Sequence, residues 1–397
     1  MNKLVGNAVK MIVHTNSVFS WDTCELESSN KTEYTGPVTL MAAPADYLDV
    51  NDLKSVAAGG LIREDVLDQI FDISDIPTPF LDMISTEGFE NSYSEWTEDK
   101  LAAPDITNKK VSGSDIASTD NKASTANAKR VGNHAQISTK PVMVTERSNY
   151  IGSIGRSDEM GYQTAMRLQE LRRDVEAIAL SGQASVQDDN NATAGQSAGA
   201  AAWITTNKDL GVGGAVPGFQ TGTKLVTAQT AGAERGLTFS LIQTQIENVY
   251  TLGGNPTILM SVPGVTKRLA AYLFTTPNAA VPTANVNGTG GGVAQVSQGY
   301  IDTFKTDFGF LMQIVPNRLQ QTYTSIGADP DPQVANVFGL DPRYWKLGLL
   351  YGWKVDPLAK VGLSFRKMLH VDWMLKAYLE RANFLIADID PTVAVVA

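Results

Sequence analysis

The chain has 397 residues, a net charge of −10, 43% hydrophobic residues and 19% charged residues. This length allows two or three domains around a sizeable core, and the acidic balance argues against a protein that reads nucleic-acid sequence, which needs a concentrated basic surface. Cys24 is the single cysteine, which excludes a disulfide within the chain, and no stretch approaches the ~20 apolar residues of a membrane span.

Residues 1–58 are predicted to form an extended N-terminal arm with short strands. Within residues 1–80, twelve acidic residues stand against five basic ones, so most of the negative charge lies at this end of the chain. In the following segment, 59–87, the spacing of Ile62, Val66 and Ile70 predicts a short helix. Pro77 and Pro79 then force the backbone to be extended around Thr78.

Residues 88–150 are predicted to form an extended β-hairpin, here called the flap. Tyr93 and Trp96 interleave with polar residues as in a strand, and Val142 and Val144 suggest a returning strand after a polar excursion. Because a two-stranded hairpin is marginally stable alone, we expect it to lie on a neighbouring subunit or domain. The residues expected to make contacts between subunits are Tyr93, Trp96, Lys100, Arg130, Lys140 and Arg147.

Residues 151–183 contain the strongest helical pattern, a rod of about 26 residues and roughly 39 Å. Ser157 is the predicted N-cap, and Gly182 is placed to end the helix. Apolar residues recur every three or four positions and define one face that we expect to be buried, formed by Tyr162, Ala165, Leu168, Leu171, Val175 and Ile178. Such a long rod is typical of a thin subunit built around a spine, so we call it the spine helix.

The remaining chain divides into three predicted regions. Residues 184–236 read as a Gly- and Ala-rich loop region. Residues 237–334 carry a helix–strand–helix pattern, with Thr238 as an N-cap, Gly253 as a stop and Pro263 opening the second helix. Residues 335–397 favour strands, and the alternation within 364–389 predicts one long strand. Helices and strands together predict an α+β fold.

No pattern of catalytic, cofactor-binding or metal-ligating residues emerges. His14, His134 and His370 are far apart in sequence and lack metal-ligand spacing, and no phosphate-binding or nucleophile motif is present. We therefore predict no catalytic residues, no cofactor and no metal, and hence a protein that is not an enzyme.

The order of the parts resembles the major capsid protein of tailed bacteriophages, which has the Hong Kong 97 fold. The resemblance rests on five parts of the sequence: the acidic arm, the segment DISDIPTPFLDMI at 72–84, the flap, the spine helix at 155–182 and the closing stretch from 352 to 389. The amino-acid sequence of that last stretch resembles the closing strand region of a divergent podovirus and siphovirus subgroup of this family. The resemblance implies that 59–87, 151–183 and 335–397 form the peripheral domain and that 237–334 form the axial domain.

The resemblance also implies a biological setting. Copies of the chain would form hexamers and pentamers of an icosahedral head shell around double-stranded DNA, with weak, non-specific contact to that DNA. The expected partners are a portal protein at one vertex, a separate scaffolding protein and a cement protein outside the shell. The location would be the virion, after assembly in the cytoplasm of a bacterial host, with no membrane involved.

Two departures from the family pattern and two alternatives complete these expectations. Residues 1–58 lack a heptad repeat, so we expect scaffolding to come from another protein and the arm to stay attached. No rule selects one lysine of the flap, so we expect no covalent cross-link. The alternatives are a bacterial compartment shell of the same fold that encloses cargo, and a tail or fibre protein of a phage.

Overall fold

The computed structural model describes residues 77–101, 104–115, 128–151, 156, 158–189, 192–275, 303–320, 322–323, 330–331 and 334–395. All of them fall within one unit that extends from Leu67 to Ala397. The predicted arm, the short helix at 62–70 and the proposed cap Ser157 lie outside the described residues. No helix of the described part is long and apolar enough to cross a membrane.

Helices and strands both contribute, so the predicted α+β class is confirmed. The helices are α1 Pro79–Met83, α2 Glu146–Tyr150, α3 Glu159–Leu180, α4 Ala200–Trp203, α5 Phe239–Thr251 and α6 Pro263–Thr275. The first eight strands are β1 Ser85–Gly88, β2 Tyr93–Glu98, β3 Lys129–His134, β4 Gln136–Thr145, β5 Lys208–Asp209, β6 Phe219–Gln220, β7 Leu225–Val226 and β8 Ile258–Ser261. The others are β9 Thr303–Lys305, β10 Leu311–Pro316, β11 Thr322–Tyr323, β12 Pro330–Asp331, β13 Ala335–Leu340, β14 Trp345–Pro357, β15 Ser364–Ala377 and β16 Phe384–Ile389.

A four-stranded sheet and the spine helix, α3, form the first core. The strand order is β1-β14-β15-β4, with β1 parallel to β14 and the other pairs antiparallel. α3 packs on β4 and β15. Trp345 and Trp373 are fully buried in this core together with Leu171 and Val175 of α3, because alternate side chains of each strand point to the same face.

A six-stranded sheet forms the second core. Its order is β5-β16-β13-β8-β10-β9. Ile242, Ile246 and Val249 recur along one face of α5 and are buried against this sheet. The predicted helix–strand–helix unit is confirmed, since Thr238 caps α5 through a 3.3 Å hydrogen bond from the amide of Leu241, and Gly253 follows α5 with φ of 82°. α6 begins at Pro263, as predicted.

The single long strand predicted over 364–389 is wrong. β15 ends at Ala377, a short 3-10 helix occupies Glu380–Ala382, and β16 begins at Phe384 in the other sheet. The break is stabilised by Glu380, which is 5% exposed and accepts hydrogen bonds from the amides of Thr205 and Thr206. The sequence did not reveal this break because β15 and β16 are both buried, so the whole segment reads as strand.

The spine helix is shorter than predicted and starts differently. α3 has 22 residues, and Asp158 is the N-cap, with its carboxylate accepting a 3.1 Å hydrogen bond from the amide of Met160. It ends at Leu180 rather than at the predicted Gly182, and Ser181 follows in an extended conformation. Since Ser181 bonds the Ile178 carbonyl through its own hydroxyl, the last turn is satisfied without a glycine.

The flap pairs differently from the prediction. β2 pairs antiparallel with β3, Tyr93 opposite His134 and Glu98 opposite Lys129. The stretch at 136–145, which we expected to be the returning strand, is β4 and joins the four-stranded sheet beside β15. Residues 129–134 are mostly polar and were not predicted as a strand. Val131 and Asn133, which lie on one face of β3, are nevertheless buried.

Candidate assembly surfaces

The base of the flap is attached to its own chain through Trp96. This side chain is 8% exposed. Its indole N–H donates a 2.9 Å hydrogen bond to the Ala377 carbonyl, and its ring lies 5.3 Å from that of Trp203 and 5.7 Å from that of Tyr378. Trp96 is therefore packed within its own chain, and its contact with another subunit stays a prediction. An aromatic residue in an amphipathic strand looks the same in sequence whichever chain covers it.

Tyr93 and Arg130 are also engaged within the chain. Arg130 pairs with Glu95, and Lys224 lies 3.1 Å from the other carboxylate oxygen of Glu95. The hydrogen bond from Lys224 is the main reason that the pKa of Glu95 is lowered. The Tyr93 ring lies 4.6 Å from that of His134, and burial, followed by the charge of Glu95, raises the Tyr93 pKa to about 12. These contacts fix the flap base against the β6–β7 hairpin.

Beyond its base, the flap exposes aliphatic side chains. Leu101 is 94% exposed, Ile106 97% and Val111 79%. Between them, the Asp105 carboxylate accepts hydrogen bonds from the amide and hydroxyl of Thr107 at 2.8 and 2.6 Å, which lower its pKa. Lys100 is exposed on the same segment. Among the described residues of the flap, 99–101 and 104–115 form a segment that a second molecule can reach.

Lys140 and Arg147, both on the return from the flap, differ in environment. Lys140 Nζ lies 2.7 Å from Asp174 Oδ2 and 3.9 Å from Glu170 Oε2, both on α3. Arg147 is exposed on α2. Lys140 therefore fastens β4 to the spine helix, whereas Arg147 stays accessible. Beside them, a cavity of about 300 Å³ opens between β4 and the start of α3, lined by Met143, Ser148, Glu159, Gln163 and Arg167 among others.

The buried face of α3 is only partly the predicted one. Leu171 and Val175 are buried, and Tyr162 and Ile178 are half-buried. Ala165 and Leu168 are exposed in the single chain, so their assignment to the subunit core is wrong. The buried residues also include Met160, Ala179 and Leu180 and, unexpectedly, Glu176. The buried face of α3 is therefore rotated relative to the predicted face, since it includes Glu176, which a hydrophobic pattern assigns to the exposed side.

Glu176 is the polar centre of the first core. Its carboxylate accepts hydrogen bonds from the amides of Phe80 at 2.9 Å and Leu81 at 2.8 Å, and from the Asn317 side chain at 2.7 Å. It therefore supplies the cap that α1 lacks, since Thr78 makes no side-chain cap bond. Burial raises the pKa of Glu176 to about 7. Because the apolar pattern of the helix counts Glu176 as outward, no signal in the sequence identified it.

Asp388 organises the Gly-rich region in a similar way. Its Oδ2 accepts 2.9 Å hydrogen bonds from the amides of Gly211 and Gly232, and a Cβ on Gly232 would lie 2.2 Å from the Gly211 carbonyl oxygen. Lys208 lies beside this junction and donates to the Ala201 carbonyl and to Gln229. Burial lowers its pKa to about 7. The region 184–236, predicted as loop, thus contains ordered backbone anchored on β16.

In sequence, the chain is similar to major capsid proteins of phages. The family model described as SU10 major capsid protein matches residues 43–390. The major capsid protein of Escherichia phage Phieco32 is 35% identical over 107 residues, so the match spans 27% of this chain and 29% of that relative. A solved structure titled Mycobacterium phage Bobi is 14% identical, with a TM-score of 0.47 over 85% of this chain and 98% of that chain. The SrpI encapsulin of Synechococcus elongatus is 9% identical, with a TM-score of 0.48 over 86% and 97%.

Proposed function

This chain belongs to the SU10 major capsid protein family, and from that premise we propose that copies of it assemble as hexamers and pentamers into the icosahedral head shell of a tailed phage, around its double-stranded DNA. Its work is structural rather than catalytic. The Hong Kong 97-type arrangement, with 59–87, 151–183 and 335–397 as the peripheral domain and 237–334 as the axial domain, is part of the same proposal.

The exposed segment of the flap is the observation that best supports self-assembly. Leu101, Ile106 and Val111 are each at least 79% exposed in the single chain. Full burial of an aliphatic side chain of this size contributes roughly 1.5–3 kcal/mol. Because Trp96 holds the flap base on its own subunit, the segment beyond it reaches outward and meets a second copy. Closed symmetry then multiplies modest contacts into a stable shell.

Further partners follow from the same setting. We include a portal protein at one vertex, a separate scaffolding protein and a cement protein outside the shell. The arm at 1–58 stays attached and clasps adjacent subunits, no covalent cross-link forms in the flap, and contact with packaged DNA is weak because the chain carries a net charge of −10. Deleting residues 1–50 should prevent assembly or weaken the particles, and normal shells of unchanged heat stability would contradict this role for the arm.

The flap variant Ile106→Asp tests the assembly proposal directly. Since the side chain is 97% exposed, the subunit should keep its circular dichroism and melting temperature, whereas a charge buried between copies should prevent shells. Ile106→Leu is the matched control and should assemble normally. Sedimentation and electron microscopy read out both variants. Normal shells from Ile106→Asp would overturn the assignment of this segment to an interface.

The content of the particles separates a virus head from a cargo compartment. We expect nuclease-resistant double-stranded DNA inside particles purified from infected cells. Particles of the same shell that carry protein cargo and no DNA would favour the compartment alternative. Extended tubes or fibres instead of closed shells would favour a tail protein.

A further inference from the structure

Two exposed apolar surfaces lie at opposite edges of the six-stranded sheet, whose outer strands are β5 and β9. β5 ends level with Ser261, the last residue of β8, because the two strands are linked in register through β13 and β16. The β9–β10 turn lies beyond the other end of β8, since β10 is parallel to β8 and Gln313 pairs with Ile258. The turn and the loop that follows β5 therefore occupy diagonally opposite corners of the sheet.

The first surface, here called the aromatic corner, is formed by Tyr250, Leu252, Phe308 and Leu311. Each of these side chains is at least 39% exposed. The Tyr250 ring, on the last turn of α5, stacks on the Phe308 ring, with the ring centroids 4.7 Å apart and 14° between the ring planes. Phe310 lies 6.2 Å from Tyr250 and packs against the second core. The stack thus presents a flat apolar platform to solvent.

Hydrogen bonds hold the aromatic corner rigid. The turn closes through the Gly309 amide, which donates to the Thr306 carbonyl at 3.0 Å, and Gly309 has φ of 91°. The amide and hydroxyl of Thr306 both donate to the Phe310 carbonyl, at 2.9 and 3.0 Å. Gln243 of α5 donates a 2.8 Å hydrogen bond to Asp307, which fastens the turn to the helix. A partner that binds here therefore pays little entropy for ordering the platform.

The second surface, here called the loop corner, is formed by Val212 and Val216, which are 89% and 53% exposed. This loop is also ordered, because the Gly211 amide donates to Asp388 and the Val212 carbonyl accepts a 2.9 Å hydrogen bond from the Ala233 amide. Four strands, β16, β13, β8 and β10, separate β5 from β9, so the two corners of one chain do not meet. Two copies of the chain can bring branched aliphatic side chains onto the flat ring stack.

We propose that the loop corner of one copy packs on the aromatic corner of the next copy, and that this contact, repeated around an axis, closes the hexamers and pentamers. The inference rests on the proposed function, because it names surfaces by which the copies meet. A contact between two different surfaces is heterologous, and heterologous contacts form a ring when their rotation closes. Exposed apolar patches rimmed by polar residues are typical of such contacts.

A second copy fits the aromatic corner better than nucleic acid does. Stacking platforms for single-stranded nucleic acid lie in positively charged grooves. Here Glu247, one turn before Tyr250, and Asp307, next to Phe308, border the stack. Four side chains are also far fewer than the roughly 20–30 residues that each partner of a stable pair contributes. The contact is therefore weak in isolation and gains stability from closure of the ring.

Cross-linking between introduced cysteines tests the contact in the full-length chain. Cys24→Ser removes the native cysteine, and Val212→Cys with Leu311→Cys then places one thiol on each corner. A short bismaleimide added to assembled particles should give a ladder from dimers to hexamers on a denaturing gel, because the links follow one another around a ring. The control pairs Leu311→Cys with Val361→Cys, which is 59% exposed on the β14–β15 turn, and should give no ladder. Equal ladders from the two pairs, or a cross-link only within single chains, would overturn the proposal.

The variant Val212→Asp gives a second test that needs no cross-linker. Since the side chain is 89% exposed, the subunit should keep its melting temperature, whereas a carboxylate against the aromatic rings should leave the protein monomeric in sedimentation. Val212→Ile is the matched control and should assemble. Closed shells from Val212→Asp would overturn this inference and leave the proposed function standing. Failure of the wild-type chain to form closed shells would instead overturn the proposed function itself.

Discussion

Glu176 and Phe80 are joined by a 2.9 Å hydrogen bond from the Phe80 amide to Glu176 Oε1, across 96 residues of sequence. The bond connects the C-terminal part of the spine helix to the first turn of α1, and the third donor, Asn317, follows β10 of the other sheet. One fully buried carboxylate thus ties together a helix start, the spine and the edge of the second core. All three donors are neutral, so the charge of Glu176 is solvated by dipoles alone.

The pKa of Glu176 predicts a pH dependence of subunit stability. Burial raises this pKa from 4.5 to about 7, so the folded state binds a proton that the unfolded state releases. This contribution to stability is present below pH 4.5 and is lost as the pH rises through about 7. Relative to Glu176→Gln, the free energy of unfolding of the unassembled wild type should fall by about 2–3 kcal/mol between pH 5 and pH 8.

Urea unfolding of both proteins across that range measures the difference. Glu170→Gln, on the same helix, is the control and should follow the wild type. A difference between wild type and Glu176→Gln that is constant with pH would contradict the raised pKa.

Glu87 predicts the opposite trend. Hydrogen bonds from Tyr378, then from Lys346 and Lys376, lower its pKa to about 2. Its stabilising contribution is therefore present above pH 4.5 and is lost as the pH falls toward 2. Because a third of the side chain is exposed, solvent screening reduces the contribution to about 1 kcal/mol. Acid unfolding of Glu87→Gln should start from lower stability at pH 6 and converge with the wild type only near pH 2, and parallel curves would contradict this.

The sequence pattern correctly predicted the elements whose buried side chains are apolar and whose ends are set by nearby residues. The α5–β8–α6 unit followed from Thr238, Gly253 and Pro263, because capping and stop residues act within one turn of the helix end. The α+β class followed from the same periodicities. These features need no knowledge of what packs against them.

Elements set by distant contacts were not predictable. β3 is polar in sequence, yet Asn133 is fully buried because its amide bonds Ser197, Ala198 and Leu375. Glu176 and Asp388 likewise read as surface acids, although their partners are backbone amides about 96 and 177 residues away. Trp96 was correctly predicted to lie in a strand. The sequence does not show, however, whether a residue is buried by its own chain or by a neighbouring subunit. The expected contacts at Lys100 and Arg147 remain predictions.

Truncating Trp96 should loosen the flap without affecting its exposed segment. Trp96→Ala removes the indole, its hydrogen bond to Ala377 and its contact with Trp203, which should cost about 3 kcal/mol. Limited trypsin digestion should then cut faster at Lys129 and Arg130 on β3. Ile106→Ala, at a 97% exposed position, is the control and should change stability by less than about 0.5 kcal/mol. Equal digestion of Trp96→Ala and wild type would show that the base is held by other contacts.

A methyl group at Gly339 should disrupt the six-stranded sheet. Gly339 lies on β13 opposite Phe384 of β16, and an added Cβ would lie 1.9 Å from the Phe384 ring. That ring is fully buried and cannot move into solvent, so Gly339→Ala should destabilise the subunit by about 1–3 kcal/mol. Gly352→Ala is the matched control within β14, where nothing lies within 4 Å of the added atom. Chemical unfolding compares the two variants, and equal stability would mean that Phe384 has room to shift, which its complete burial argues against.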